Sequence, residues 1–367
     1  MSGPASPASP GLSWRLASMA IMGTVGALSR GFLYGLNNVE VTGLDHLLDT
    51  LDRRKTQGRE RGLLTVCNHV AVLDDPLMWG ILPLRYTTDV ENLRWGLGAH
   101  DICFKNRFVK PTRAPTMRRA VERAHPDLSS SVWSTFFSLG QVLPTRRLWH
   151  SPLGGLYQPT MAQAINLLSN PPKSTVAPKL AFSTDGTDSF PAPAAYTANR
   201  HAWVHVFPEA CCHQSPDSGL RYFKWGISRL ILESDPAPEF IPMFIHGTQS
   251  IMPEDREWPR FLPRIGKRVR VVIGEPTDVD RVFGHHRAAW KRLVDRGDTE
   301  LLKRDPEAVQ LRIEVAKSVR GEIEKLRESI GLPREEDEAA ALAETWSKEP
   351  NKRKFKSPVD GSLINRH

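Results

Sequence analysis

An α/β fold is what this 367-residue chain predicts, and three observations carry the prediction. Short apolar runs rich in β-branched residues, Leu63–Cys67, Val204–Phe207 and Val269–Ile273, have the length and composition of buried strands. Helical periodicity appears elsewhere, most clearly where Val309, Ile313, Ala316, Val319, Ile323, Leu326 and Ile330 recur three and four apart. Finally, the residues able to do chemistry are scattered from His69 to Met243, so a single large domain has to gather them.

The N-terminal region, residues 1–39, has a character of its own. No acidic residue precedes Glu40, and the run Leu16–Ser29 is apolar between Arg15 and Arg30. Its 14 residues fall short of the roughly 20 that an ordinary helical span requires. They predict an interfacial or re-entrant anchor, with Trp14, Leu16, Ile21, Val25 and Leu28 meeting lipid and Phe32-Leu33-Tyr34 behind them. A buried helix is the competing reading. Arginine is too sparse for a strong mitochondrial presequence, and the apolar run could imitate a secretory signal.

Next comes the most informative stretch, Asn68-His69-Val70-Ala71-Val72-Leu73-Asp74-Asp75-Pro76, at the exit of the strand over 63–67. Asp75-Pro76 reads as a helix start, the aspartate capping free amides and the proline sitting where a missing N–H costs nothing. That leaves Asp74 as the carboxylate for His69. Histidine's ordinary pKa near 6.5 lets its neutral ring accept a hydroxyl proton, while a carboxylate on the other nitrogen fixes the tautomer. The plainer alternative is a buried histidine beside two capping aspartates.

Other chemistries find less support. No G-x-S-x-G elbow or H-E-x-x-H motif is present. His205, Glu209 and His213 lie four apart, but Pro208 and the β-rich run before it argue against the helix that would align them as metal ligands, so no metal is expected. Gly96-Leu97-Gly98 lacks the third glycine of a dinucleotide loop, and no cofactor is expected. The four cysteines, Cys67, Cys103, Cys211 and Cys212, show neither zinc spacing nor a disulfide framework and read as reduced thiols, Cys211 and Cys212 as accidental neighbours. A formal charge of +8 and a pI near 9.4 imply an anionic partner. With no nucleic-acid module in sight, a membrane surface fits better.

Further stretches join the histidine motif in order. They are Phe136-Phe137-Ser138-Leu139-Gly140 leading into Val142-Leu143-Pro144-Thr145-Arg146-Arg147, then Gly155-Leu156-Tyr157-Gln158, Val204-His205-Val206-Phe207-Pro208-Glu209, Leu220-Arg221-Tyr222-Phe223-Lys224-Trp225-Gly226-Ile227 and Phe240-Ile241-Pro242-Met243. Over roughly residues 14–285 this set resembles the glycerolipid acyltransferases and, in the detail of Phe-Lys-Trp-Gly-Ile, their tafazzin branch. The resemblance implies a mixed β-sheet flanked by helices, with His69 as general base, Asp74 orienting it, and Arg147 and Glu209 binding substrate. Arg147 is favoured by its offset from Gly140, with Arg146 a near rival. One departure stands out: Ala210 follows Glu209 where the family has glycine, a residue suited to a positive φ or a close backbone approach.

The remainder divides coarsely. A helix is expected near Ala162–Leu168, and residues 171–201, rich in Pro, Ala, Ser and Thr, read as a disordered insertion. From Leu220 a helix would align Leu220, Phe223, Ile227, Leu230 and Ile231, making Phe223, Trp225 and Ile227 a second membrane-facing candidate whose alternative is the core. The basic-aromatic run Trp258–Arg264 offers surface attraction to anionic lipid, with a solvated loop as the default. Residues 284–305 read as a charged insertion, 307–330 as an amphipathic helix closing a domain over 40–332, and 333–367 as a mobile charged tail ending in the basic cluster Lys352–Lys356.

The resemblance therefore implies a mitochondrial-membrane transacylase that moves acyl chains between phospholipids and lysophospholipids without coenzyme A. Phosphatidylcholine, cardiolipin and monolysocardiolipin are the implied substrates. A coenzyme-A-dependent lysophospholipid acyltransferase is the alternative, and a non-catalytic lipid-binding protein the third reading.

Overall fold

The computed structural model describes residues 11–89, 92–104, 132–147, 154–170, 181–182, 190–191, 200–215, 217–256, 258–297, 301–348, 355–356 and 363–364. Eight strands of one sheet organise them: β1 Asn38–Thr42, β2 Leu63–Cys67, β3 Arg94–Ala99, β4 Val142–Thr145, β5 Trp203–Val206, β6 Glu239–His246, β7 Arg268–Ile273 and β8 Thr277–Asp278. Their order is β1-β7-β6-β2-β5-β3-β4, with β8 added antiparallel to β6. The five strands from β6 to β4 are parallel to one another. Strand β7 is antiparallel to β6, and β1 is parallel to β7, which makes the sheet mixed.

Alternation along the strands divides the core in two. Leu64, Val66, Val204 and Val206 point to one face, covered by α5 Pro159–Leu168, α6 Gly226–Glu233, α7 Val279–Asp295 and α8 Pro306–Ser329. Leu63, Cys67, Trp203 and Ile241 point to the other, covered by α1 Leu12–Leu36, α2 Leu44–Thr56 and α3 Asp74–Gly80. Helix α4, Val132–Leu139, precedes β4. Because the central strands are parallel, the residues that follow β2, β3, β4, β5 and β6 all emerge at one edge of the sheet. In open parallel sheets this is where binding crevices form.

Several expectations change here. Helix α1 runs for 25 residues, longer than the apolar core of its sequence, because Phe32-Leu33-Tyr34 continue it after Arg30. Its length of about 37 Å suffices to cross a hydrocarbon layer by length and composition. Ser18, Gly26, Ser29 and Leu33 are nevertheless buried, and Arg30 donates to the carbonyls of Gly80, Ile81 and Leu82 at the end of α3. One side of the helix is thus part of the domain.

The stretch 220–225 is not helical. Lys224 N–H donates to Pro208 O (2.8 Å), and the helix starts only at Gly226. Phe223 and Ile227 are 2% and 3% exposed in the core, with Trp225 packed partly against it, so this segment presents no apolar row to lipid. Most of 284–305 is helix α7, which docks through Phe283, Trp290 and Leu293, an apolar period hidden among charges. Residues 333–348 also dock, through a short helix Ala343–Lys348 whose Trp346 is buried beneath Arg221. The insertion at 171–201 lies almost wholly outside the described residues, as does the basic cluster from Lys352 to Lys354.

Candidate active site

Two neighbouring strands deliver the site. Parallel β2 ends at Cys67 and releases Asn68-His69, while β5 ends at Val206 and releases Phe207-Pro208-Glu209. Asn68 is buried and clamps β2 to β6, its Nδ2 donating to Ile245 O (2.9 Å) and its Oδ1 accepting from Ile245 N–H (2.8 Å). This bond pair fixes where the chain leaves the sheet.

His69 Nδ1 lies 2.9 Å from Asp74 Oδ2, with the imidazole 21% exposed and the carboxylate wholly buried. The same oxygen accepts from Val70 N–H (2.6 Å) and Ala71 N–H (2.8 Å), and Asp74 Oδ1 accepts from Thr248 Oγ1 (2.5 Å). Four donors on one carboxylate hold it in place. Thr248 reaches it because Gly247 turns the chain at the end of β6 with φ 103°, where an added Cβ would meet Arg268 O at 2.0 Å. Asp75, expected as the helix cap, instead accepts from Arg94 Nη2 (2.9 Å) and Trp79 Nε1 (3.2 Å), with Arg94 over the Trp79 ring. Helix α3 begins two residues earlier than the Asp75 cap predicts, at Asp74, and the His69 backbone carbonyl accepts His213 N–H (2.7 Å).

Phe207 stacks on the imidazole, with centroids 4.6 Å apart and planes inclined 29°. On the side away from Asp74, His69 Nε2 lies 3.5 Å from Cys212 Sγ. Burial alone pulls the His69 pKa down. Cys212 and the Asp74 hydrogen bond outweigh it and hold the ring well above the ordinary histidine value. The neighbouring His205 behaves oppositely: sealed in the sheet against Thr65 Oγ1 (2.7 Å), with burial and Arg94 holding its pKa well below the ordinary value, it stays neutral.

Glu209 is buried directly behind the site. Its Oε1 accepts from His69 N–H (3.1 Å) and its Oε2 from Arg221 N–H (3.4 Å), tying three chain segments at one carboxyl. Burial pushes its pKa up to about 8, opposed by those donors. The next residue, Ala210, has φ 57°, the left-handed conformation for which the family's glycine is suited. Segment 217–221 is held from a distance. Arg320 of α8 donates to Leu220 O and Arg221 O, and Arg327 donates to Ser218 O and Asp217 O.

Arg147 follows β4, three strand spacings or about 14 Å from β2 across the same edge. It meets Asp101 through two donors, Nε at 3.2 Å and Nη2 at 2.5 Å. Arg146 has its backbone clasped by the Gln158 amide. The structure therefore gathers His69, Asp74 and Glu209 at one point and sets Arg147 further along the rim. Sequence reasoning passes over Thr248, Phe207 as a ring platform, and Cys212. Only the adjacency of β2 and β5 could have brought the last two to His69. Among the described residues no three metal-ligating side chains converge.

No family model matches the chain. A Saccharomyces cerevisiae protein named Tafazzin is 33% identical over 371 residues, covering 96% of this chain and 88% of its own. Taffazin of Dictyostelium discoideum is 29% identical, covering 73% of this chain and 72% of its own. An N-acylphosphatidylethanolamine synthase of Arabidopsis thaliana is 30% identical over 64% of this chain and 63% of its own. Among solved structures, a 1-acyl-sn-glycerophosphate acyltransferase from Thermotoga maritima aligns over 86% of this chain and 81% of its own, with 14% identity and a TM-score of 0.39.

Proposed function

The chain belongs to the tafazzin family of glycerolipid acyltransferases, and from that premise we propose that it transfers acyl chains between phospholipids and lysophospholipids without coenzyme A. Cardiolipin, monolysocardiolipin and phosphatidylcholine are the proposed substrates, and mitochondrial membranes the site of action. The observation that carries this reading is His69, whose Nδ1 is fixed by a buried, fourfold-bonded Asp74 while Nε2 lies on the other side of the ring, 3.5 Å from Cys212 Sγ.

With Nδ1 committed as a donor to Asp74, Nε2 is the nitrogen through which the ring exchanges a proton with substrate. An acceptor hydroxyl deprotonated there attacks the donor ester, and the same nitrogen returns the proton to the departing glycerol oxygen. Glu209 acts through position: it holds the His69 amide and, through Arg221, the opposite segment. Arg147 suits a lipid phosphate, for its planar fork can engage two phosphate oxygens. Asp101 occupies that fork in the free protein and has to share it.

Presentation to lipid fits the exposed apolar residues. On α1 these are Leu12, Leu16, Met19 and Leu28, flanking the buried face that carries Ser18, Gly26, Ser29 and Leu33. After β6 they are Trp258 and Phe261, 86% and 73% exposed, with Leu262, Ile265 and the basic Arg260 and Arg264 among them. This loop joins the end of α1 through Gly266 N–H to Leu36 O, and reaches the site loop through Glu254 N–H to Gln214 Oε1. Amphipathic elements of this kind lie in the interface plane rather than across it.

The test supplies vesicles containing acyl-labelled phosphatidylcholine and monolysocardiolipin, with no thioester present. Label is expected in cardiolipin. Label appearing only after acyl-coenzyme A is added would establish the alternative enzyme, and none under either condition would leave a lipid-binding protein.

A further inference from the structure

We infer that the C-terminal segment 337–348 is a strap that seats the base, with Trp346 as the residue that positions His69 through the opposite wall of the site. This rests on the transacylase reading and adds to it what keeps the base in register. Between Pro333 and Lys348 only Ala340 and Trp346 are buried, so a largely charged stretch of chain is committed to the domain through one large side chain. That side chain is 3% exposed, and its Nε1 donates to Ala340 O (2.7 Å), closing the strap on itself.

The ring lands on the two residues whose main chain reaches the base. His213 meets it edge to face with centroids 5.2 Å apart, the Arg221 guanidinium lies 4.9 Å from its centre, and Tyr222 is tilted alongside at 6.0 Å. His213 N–H donates to His69 O (2.7 Å). Arg221 N–H donates to Glu209 Oε2 (3.4 Å), and Glu209 Oε1 accepts from His69 N–H (3.1 Å). Both backbone polar groups of His69 are therefore held by segments that share Trp346 as a packing partner. Asp74 sets the direction of the imidazole, and the wall sets the place of its backbone.

The rest of the segment serves to bring the ring there. Arg327 of α8 donates to Pro333 O, Glu335 N–H donates to Glu324 Oε1 (3.3 Å), and Asp337 caps the turn Glu338–Ala341 by accepting from Ala339 N–H (2.9 Å). These bonds moor the strap to α8, and Trp346 is where it meets the site. Removing the indole leaves a void against His213 and Arg221, into which the wall relaxes. A misplacement of about 1 Å in a reacting group can cost roughly 10²-fold in rate.

The experiment follows transfer from acyl-labelled phosphatidylcholine to monolysocardiolipin in vesicles, across the pH range in which histidine titrates, for full-length wild type, Trp346→Ala, Trp346→Phe and Trp290→Ala. Trp290, buried in α7 beside Arg312, controls for lost stability alone. The titratable groups within electrostatic reach of the His69 ring are Asp74 on its own connection, Cys211, Cys212 and Glu209 on the wall, and His205 in β5. Cys212 and the Asp74 bond hold the ring above the ordinary histidine value, so a base that slips from its seat returns toward that value. Trp346→Ala should lower the maximal rate roughly 10–10²-fold and move the acid limb of the pH profile downward. Trp346→Phe, which keeps a ring against His213 and Arg221, should restore both. The position of the limb decides, because it does not depend on how much of the protein is folded. An acid limb left at its wild-type position in Trp346→Ala overturns the strap, as does an equal displacement in Trp290→Ala or in Trp346→Phe. Should Trp346→Ala fail to fold, Trp346→Leu takes its place with the same outcomes. Absence of transfer by wild type itself overturns the transacylase reading instead.

Discussion

Two connections leave adjacent parallel strands at the same edge of the sheet, and they are held in opposite ways. The one after β2 is oriented largely by its own residues, for Asp74 collects His69, Val70 N–H and Ala71 N–H from within five positions, while Thr248, Glu209 and His213 add bonds from afar. The one after β5 is fastened from the far end of the chain, where Arg320 and Arg327 bind carbonyls 99 to 110 positions upstream. Local bonds set the orientation of the base. Remote closure makes the opposite wall, which carries Glu209 and Cys212, depend on α8 being folded and docked.

That contrast can be broken from either side. The largest effect is expected at the connection after β2, where His69→Ala should lower transfer by roughly 10²–10⁴ with little change in melting temperature. Asp74→Asn should cost a similar factor, because an amide cannot accept at full strength from four donors and stabilises the wrong tautomer. A variant that keeps normal turnover in the vesicle assay would remove the base from His69.

On the remote side the expected signature is reversed, with stability falling first. Arg327→Met leaves Glu324, paired at 2.5 Å, without its cation and strands the Ser218 and Asp217 carbonyls. A loss of about 3–5 kcal/mol in urea unfolding is expected, as for breaking a buried pair. Unchanged stability would mean the wall stands without α8.

Glu209 links the two sides and makes the comparison depend on pH. Its folded-state pKa of about 8 lies above the ordinary 4.5, so the folded form prefers the proton. Its stabilising contribution is complete below pH 4.5 and declines as pH rises toward 8, by up to about 1.4 kcal/mol per unit. Glu209→Gln should abolish that decline, which denaturation at pH 5 and pH 8 can measure. Equal slopes in the two proteins would place the carboxyl in a wetter setting than its burial indicates.

The smallest effect belongs to Ala210, whose φ of 57° costs a side chain about 1–2 kcal/mol, partly offset in glycine by backbone entropy. Ala210→Gly should stabilise by about 0.5–1 kcal/mol in urea, and a destabilised variant would show that the methyl group is packed rather than tolerated.

What the sequence reveals follows the same division. Leu63–Cys67, the base and its carboxylate are legible because strand, exit and helix start are contiguous, and the composition of each segment names its role. The antiparallel placement of β7 is invisible, since no local residue records which neighbour a strand will choose. Residues 220–225 carry a helical period yet form no helix, because Pro208 O and Glu209 take the N–H groups of Lys224 and Arg221. Residues 333–348 look like solvated charge, but Trp346 is seated against Arg221 and His213. Cys212 carries no local mark, for its approach to His69 arises only when β5 is laid beside β2.

The close seat of α1 has a consequence for how freely that helix can move. At Gly80 an added Cβ would meet Ser29 backbone at 2.7 Å, and at Gly26 the Thr87 side chain at 2.7 Å, so helix and domain share one interior. Peeling α1 off the domain would open that interior to water. Helix and domain therefore move as one body, and any surface that receives the exposed side of α1 receives the rest of the domain with it.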